Sequence, residues 1–347
     1  MTAGAPVETG RGSPVLSRVS VRLPRGVESV DRVLERAGHG PFERRMFRRF
    51  HGLRDSPTLA SGERMEDLLV GAGREALGGR GADVVLYGHS HVVQGFADRP
   101  GFARRLCAAL GVPGAEFYGI SQVHCVSVLR AVEVARRYHA RPGARPGDRV
   151  LVLGGDQGSY DDSARIIPNV TVGGDAAAAV VVHAPHGRPD EHGEPGEHGE
   201  HDEHGDGTPR YRYLSGAALR DQRFHRALRM TQREQALYAK ACMEHVTTVL
   251  REATGRAGFG ITDLDWIMPD LTNAVFWRNF CRETGVERGR VPLDLLPLRG
   301  HNYGIDALSA LQHADATGRL RPGDRCALVA LGHGAYFQVV VVEVLGG

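Results

Sequence analysis

Lysine is almost missing from this chain. Lys240 is the only one, so essentially all the positive charge is guanidinium, which we assign to a GC-rich coding sequence rather than to function. An excess of either charge is missing too. Lys and Arg number 43 against 41 Asp and Glu, a net of +2, which leaves no general electrostatic case for nucleic acid or an anionic membrane as partner. No apolar run approaches the length of a membrane span, and the first twenty residues, MTAGAPVETGRGSPVLSRVS, lack the apolar centre of a signal peptide. The five cysteines, Cys107, Cys125, Cys242, Cys281 and Cys326, are odd in number and widely spaced, with no C-x-x-C pair. That excludes a disulfide framework and a zinc ribbon. The expected setting is a soluble, reducing cytoplasm, in which a single cysteine is a candidate nucleophile.

What is present is a chain of 347 residues, 41% hydrophobic and 24% charged, enough for one large core or two fused halves. The 46 glycines follow no G-x-y period and indicate tight turns and close backbone approaches. Composition breaks sharply between His183 and Arg210, where apolar residues almost vanish and six of the 17 histidines collect. Those histidines are interleaved with glycine and have no fixed ligand geometry. The tract therefore reads as a solvated surface loop, with metal binding as the alternative. On either side the chain repeats itself. Arg145-Pro146-Gly147-Asp148-Arg149 and Arg321-Pro322-Gly323-Asp324-Arg325 each introduce a buried strand pattern, and each follows a helical pattern, VSVLRAVEVARRYHA or YGIDALSALQHADAT. A second pair, ADVVLYGHS and LDWIMPDLTN, repeats a short apolar strand running into a polar loop. Two similar halves of alternating strands and helices imply an α/β protein made by internal duplication. We expect a first half over 1–183, the insert over 184–210 and a second half over 211–347.

The offset of 176 between the two RPGDR segments carries Cys125 onto His301, both just before the matching helices. Equivalent helix N-termini in a pseudo-twofold fold can converge, bringing thiol and imidazole into one site, and helix N-terminal amides favour a thiolate. The alternative is that Cys125 is a small buried hydrophobe and His301 a polar cap.

At these residues the sequence resembles the thiolase superfamily, and within it enzymes similar to ketoacyl synthase III, from about Gly62 to the C-terminus. The segment GISQVHCVSVLRAVEVA places Cys125 on the family's nucleophile. RVLVLGGD followed by VGGDAAAAVVV resembles a family strand and its Gly-rich turn at Gly173-Gly174-Asp175-Ala176. PGDRCALVALGHGAYF resembles the terminal loop whose amides help form an oxyanion hole, here Gly332, His333 and Gly334 with the amide of Cys125, and His333 replaces its middle glycine. The resemblance implies a five-layered α/β/α/β/α thiolase-like fold, a homodimer, and a coenzyme A or acyl-carrier-protein thioester as donor.

Two positions depart from the family. Where decarboxylating synthases carry His in a P-H-Q-A-N-like segment and Asn in a G-N-T-S-like segment, this chain has Pro269-Asp270-Leu271-Thr272-Asn273 and Gly300-His301-Asn302-Tyr303. Decarboxylative condensation needs two hydrogen-bond donors on a developing enolate, and an ionised carboxylate is not one. Cys, His and Asp instead form the set of a nucleophilic acyl transferase or hydrolase: thiolate, base, and the carboxylate that fixes the tautomer of the base. A subgroup of synthase-III-like enzymes that acylate hydroxyls in antibiotic pathways looks similar. The expected activity is thus acyl transfer from a thioester, through acyl-Cys125, onto a hydroxyl or amine of a small molecule, with His301 as base and Asp270 orienting it. No metal or redox cofactor is expected. The alternatives are a decarboxylating condensing enzyme, a thioester hydrolase and a non-catalytic partner subunit. Asp270 also reads as a helix N-cap.

His89 and His91 sit at i, i+2 but lack a third and fourth ligand nearby, so a pocket wall or a structural role is expected rather than a metal. His124 is expected in the core or behind the nucleophile, since adjacent helical residues do not face one another. Asn273 and Asn302 are further pocket candidates, and Trp266 and Trp277 are expected in the core. PFERRMFRRFHGLR reads as an amphipathic helix with Phe42, Met46 and Phe50 on its apolar stripe. Its arginines, and the cluster Arg210, Arg212, Arg220, Arg223, Arg226 and Arg229, could dock an acidic carrier or simply be solvated.

Overall fold

Apolar runs without polar alternation form strands covered on both faces. RVLVLGGD and AAAAVVVH are such strands in the computed structural model, which describes residues 13–91, 94–184, 208–226 and 230–346. Most of the His-rich insert, residues 185–207, and Arg229 lie outside the described residues. The chain runs β1 (Val15–Ser17), β2 (Ser20–Arg22), β3 (Gly26–Ser29), α1 (Val30–Arg36), α2 (Pro41–Met46), β4 (Asp55–Thr58), α3 (Met65–Leu77), β5 (Val84–Gly88), α4 (Phe102–Leu110), β6 (Glu116–Ile120), α5 (Ser127–Ala140) and β7 (Arg149–Asp156). It continues through α6 (Asp162–Arg165), β8 (Ile166–Ile167), β9 (Thr171–Val172), β10 (Ala176–His183), β11 (Pro209–Arg220), α7 (Gln232–Arg256), β12 (Trp266–Met268), α8 (Ala274–Thr284), α9 (Leu296–Arg299), α10 (Asp306–Ala316), β13 (Arg325–Gly332) and β14 (Tyr336–Val344).

The duplication is visible in the pairing. In the first half β5 is parallel to β7, and β7 antiparallel to β10; in the second, β12 is parallel to β13, and β13 antiparallel to β14. The halves join in the order β12-β13-β14-β11-β1-β10-β7-β5-β6, with β2 also on β10. One core cluster packs α5 and α10 together between strands of both halves; a second places α7 and α8 outside the second half, and a third α3 and α4 outside the first. The result is five layers, α/β/α/β/α, with α5 and α10 in the central one. Gly154 permits their close approach: a Cβ there would meet Val128 Cγ2 at 2.6 Å and Ile305 Cγ2 at 2.7 Å. No described helix is long and apolar enough to cross a membrane.

The repeat differs from the sequence reading in one respect. β7 and β13 begin 176 residues apart, but α5 and α10 begin 179 apart, at Ser127 and Asp306, because α5 has 14 residues and α10 only 11. The turns entering them therefore match His124 with Tyr303, both left-handed at φ 51° and 58°, and Cys125 with Gly304 rather than with His301. The expected amphipathic helix is also interrupted. Pro41–Met46 passes into a π-turn at Phe47–His51, which buries Phe47 and leaves Phe42 and Phe50 exposed. Of the second arginine cluster, Arg210 pairs with Asp315, Arg212 with Glu343, Arg223 with Asp221 and Arg226 with Glu234, while Arg220 lies over the Tyr336 ring.

Candidate active site

Cys125 occupies the one-turn helix His124–Val126 that opens α5, and it is buried. The left-handed backbone of His124 costs on the order of 1 kcal/mol, and it aims the thiol across the central layer. His301 arrives from the other half. It bridges Gly173 in parallel, and the Gly174 N–H donates to its carbonyl at 2.9 Å, so the Gly-Gly-Asp turn before β10 sets its backbone. Asp175 of that turn accepts from Leu59 N–H and Ser159 N–H, both at 2.8 Å, and locks it. Cys125 Sγ and His301 Nε2 are then 3.6 Å apart, in a site where His301 has no exposed surface.

The other ring nitrogen, His301 Nδ1, donates to Asp306 Oδ2 at 2.6 Å. Asp306 also accepts from Leu271 N–H at 2.7 Å and Asn302 N–H at 2.6 Å, so both of its oxygens are held. The sequence reading gave this orienting place to Asp270. Asp270 is in the same cluster, with ligand atoms of Asp270, His301 and Asp306 within 4.8 Å of one another, but its Oδ1 accepts from Thr272 N–H at 3.1 Å. Nor is it the cap of α8. Asn273, expected as a pocket residue, is that cap, with Oδ1 accepting from Phe276 N–H at 2.9 Å.

Charge follows this arrangement. Burial opposes a positive charge on His301, but the Asp306 carboxylate outweighs it and holds the imidazole well above its usual value. Burial lifts the Asp270 carboxyl to about 6, with His301 pulling it down and Asp306 pushing it up. Burial also pushes the Cys125 thiol up, against the lowering expected from a helix N-terminus, and His301 pulls it partly back.

The β13–β14 turn closes over the nucleophile. A Cβ on Gly332 would meet Val123 O at 2.7 Å and Cys125 N at 3.4 Å. The left-handed positions of the turn are Gly334 and Ala335, at φ 79° and 57°, so His333 occupies a place open to a side chain. Burial, with His124 and His301 nearby, lowers the His333 imidazole to about 4, and its Nδ1 has no hydrogen-bond partner. The His124 and His333 rings meet edge to face at 6.2 Å.

His89 and His91 follow β5 without converging on a common ligand position. His89 stacks on Tyr87, its Nδ1 meets the His91 carbonyl at 2.6 Å, and His91 N–H donates to Asp156. Asn302 is buried with its side-chain amide unpartnered. Trp277 is in the core and Trp266 only partly buried. Three residues escaped the sequence reading. Asp306 carried a signal, an acid five residues past His301 in the first turn of a helix. Ser90, buried just after β5 with its hydroxyl unpartnered, and Tyr303, whose ring packs 5.2 Å from that of His301, carried none.

Comparison with known proteins agrees with this architecture. Residues 255–344 match the family model for the C-terminal part of 3-oxoacyl-[acyl-carrier-protein] synthase III. Over 244 residues the chain is 28% identical to beta-ketoacyl-[acyl-carrier-protein] synthase III 3 of Streptomyces coelicolor, covering 68% of this chain and 69% of that one. In structure it superposes on 3-oxoacyl-(acyl carrier protein) synthase III of Pseudomonas aeruginosa with TM-score 0.73 at 20% identity, over 96% of this chain and 99% of that one. It superposes on the acyltransferase ChlB3 with TM-score 0.76 at 20% identity, over 96% and 98%. Fold, buried thiol and relatives thus converge on a likeness to the ketoacyl synthase III enzymes, whose C-terminal family model the chain matches over residues 255–344.

Proposed function

We propose that the protein transfers an acyl group from a coenzyme A or carrier-protein thioester, through acyl-Cys125, to a hydroxyl or amine of a small molecule in specialised metabolism. The observation that carries this reading is the buried relay from Cys125 Sγ through His301 Nε2 and Nδ1 to Asp306, with a carboxyl at 270 where the resemblance puts a condensing enzyme's imidazole.

Cys125 sulfur attacks the thioester carbonyl, giving up its proton to His301. The amides of Cys125 and of the Gly332–Gly334 turn receive the oxyanion, and the donor thiol leaves with the proton. The acceptor then gives its proton to His301 as it attacks acyl-Cys125, and the cysteine sulfur leaves, taking that proton from His301. Asp306 keeps Nδ1 protonated so that Nε2 faces the reaction, and it stabilises the imidazolium formed in each step. Base assistance of this kind supplies about 10² to 10⁴ in rate. A homodimer fits the family.

Decarboxylative condensation is the second reading, favoured by the names of the curated relatives. With its carboxyl raised to about 6, Asp270 would have to bind an enolate in its protonated form to serve it. Intact mass after incubation with acyl thioesters, malonyl-coenzyme A included, separates the two. A malonyl adduct that keeps its carboxylate, absent in Cys125→Ala, supports transfer; loss of carbon dioxide supports condensation; no adduct with any donor points to a partner subunit. His301→Ala should load slowly and stall at the acceptor step, and normal turnover in that variant would remove His301 as base.

A further inference from the structure

Tyr303 is the counterpart of His124 in the other half, and it stands beside the base. It opens the one-turn helix Tyr303–Ile305 at the head of α10, two residues past His301, with φ 58°. The next residue seats this turn on that of the nucleophile: a Cβ on Gly304 would meet the Cys125 carbonyl oxygen at 3.3 Å. The phenol ring packs against two imidazoles, that of His301 with centroids 5.2 Å apart and that of His91 at 4.7 Å. His91 is itself anchored, since its N–H donates to Asp156 at 2.9 Å.

A tyrosine in this place works against the fold in three ways. A left-handed backbone is strained in any residue with a Cβ. The hydroxyl is buried with no hydrogen-bond partner among the described residues, which leaves its desolvation uncompensated. Two glycines must also leave room for the ring. A Cβ on Gly158 would collide with Tyr303 Oη and stand 3.0 Å from Cε2, and one on Gly173 would collide with Oη and Cζ. Gly173 is the residue that bridges to His301, so the far end of the phenol lies against the backbone that carries the base.

What the ring supplies is a second restraint on the imidazole. The hydrogen bond from Nδ1 to Asp306 fixes one edge of His301 and leaves the ring free to swing about that bond, carrying Nε2 along an arc. The Tyr303 ring, inclined at 53° to the imidazole, blocks the swing on the side it occupies. With Sγ and Nε2 at 3.6 Å there is little slack, and a misplacement of about 1 Å costs about 10² in rate. We propose that Tyr303 is a positioning residue whose ring, packed on His91 and seated against Gly158 and Gly173, holds His301 in line with the Cys125 thiol. Its kinetic consequence rests on the acyl-Cys125 reading, whereas the thiol–imidazole contact can be followed without substrate.

The test follows alkylation of Cys125 in the full-length protein by iodoacetamide across pH, by mass spectrometry of the Cys125 peptide. A second assay measures acylation of Cys125 by S-acetyl-N-acetylcysteamine. In Tyr303→Leu the alkylation midpoint should move up toward that of His301→Ala. The maximal acylation rate should fall by about 10², with the half-saturating thioester concentration little changed. Tyr303→Phe keeps the ring and should restore both. Gly158→Ala displaces the ring from its far end and should reproduce the loss. Added to Tyr303→Leu it should do nothing more, because leucine lacks the three atoms, Oη, Cε2 and Cζ, that the new methyl would meet. A residue that only fills space would lower Tm in these variants and leave midpoint and rate unmoved; that result overturns the proposal. So does a Tyr303→Phe variant as impaired as Tyr303→Leu. Should Tyr303→Leu fail to fold, Gly158→Ala decides alone, and an unmoved midpoint there overturns the proposal. No acylation of the wild type by this thioester or by acetyl-coenzyme A counts against the acyl-Cys125 reading, while the alkylation midpoints still decide on Tyr303.

Discussion

His301 Nδ1 and Asp306 Oδ2 lie 2.6 Å apart, fully buried, and the two residues belong to the same turn at the head of α10. Imidazole and carboxylate are thus fixed by one short stretch of backbone, and only the thiol has to come from the other half of the duplication. The geometry divides the two nearby acids: Asp306 holds His301 Nδ1, and Asp270 accepts from Thr272 N–H instead.

Asp306→Asn should lower turnover by about 10³ to 10⁴, because an amide cannot stabilise the imidazolium and the Nδ1 tautomer is no longer enforced. Asp270→Asn should cost less than about tenfold if Asp270 only supplies surroundings. Steady-state rates and KM on the same acceptor decide this: the Asp306 loss is expected in kcat, and the reverse ranking of the two variants would return the orienting role to Asp270.

The thiol reports the same relay without any substrate. Burial raises the Cys125 titration and His301 lowers it, so removing the imidazole leaves burial unopposed. In His301→Ala the pH midpoint of Cys125 alkylation by iodoacetamide should move up. An unchanged midpoint would mean that the 3.6 Å contact does not act on the sulfur.

Asp270 makes a stability prediction with a definite sign. Its folded-state value is raised, from an ordinary 3.8 to about 6, so its contribution is fully present below about pH 4 and is lost as pH rises through 6. At neutral pH the buried charge costs on the order of 2 to 3 kcal/mol. Asp270→Asn should therefore raise Tm relative to wild type at pH 7 to 8 and not at pH 4. A variant less stable than wild type at pH 8 would show that the Thr272 contact, not the charge, governs this position.

Much of this was legible in the sequence because the strands are buried on both faces and so read as unbroken apolar runs, which makes the repeat of strand, helix and turn easy to align. The alignment carried Cys125 and His301 into one site. It could not register a helix three residues shorter, since α10 loses those residues at its exposed C-terminal end, where no pattern marks the loss. The assignment of Asp270 rested on the family's histidine position. What decides the partner of Nδ1 is reach, and Asp306, one turn from His301, has less distance to cover. Ser90 and Tyr303 were invisible for a different reason. A serine in a loop and a tyrosine at a helix entrance acquire meaning only once the fold has formed around them.

Gly332→Ala tests the remaining element, the turn over the nucleophile. The added methyl would stand 2.7 Å from Val123 O and 3.4 Å from the Cys125 amide, so the turn must back away from the thiol. Overpacking of this kind costs about 1 to 3 kcal/mol of stability. Displacing one oxyanion donor costs about 10² to 10³ in rate. The two effects separate in the assay: acylation of Cys125 by a thioester should slow by that factor, while alkylation by iodoacetamide, which develops no oxyanion, should change little. Equal slowing of both would mean that the methyl blocks access to the sulfur and that the turn contributes no donor.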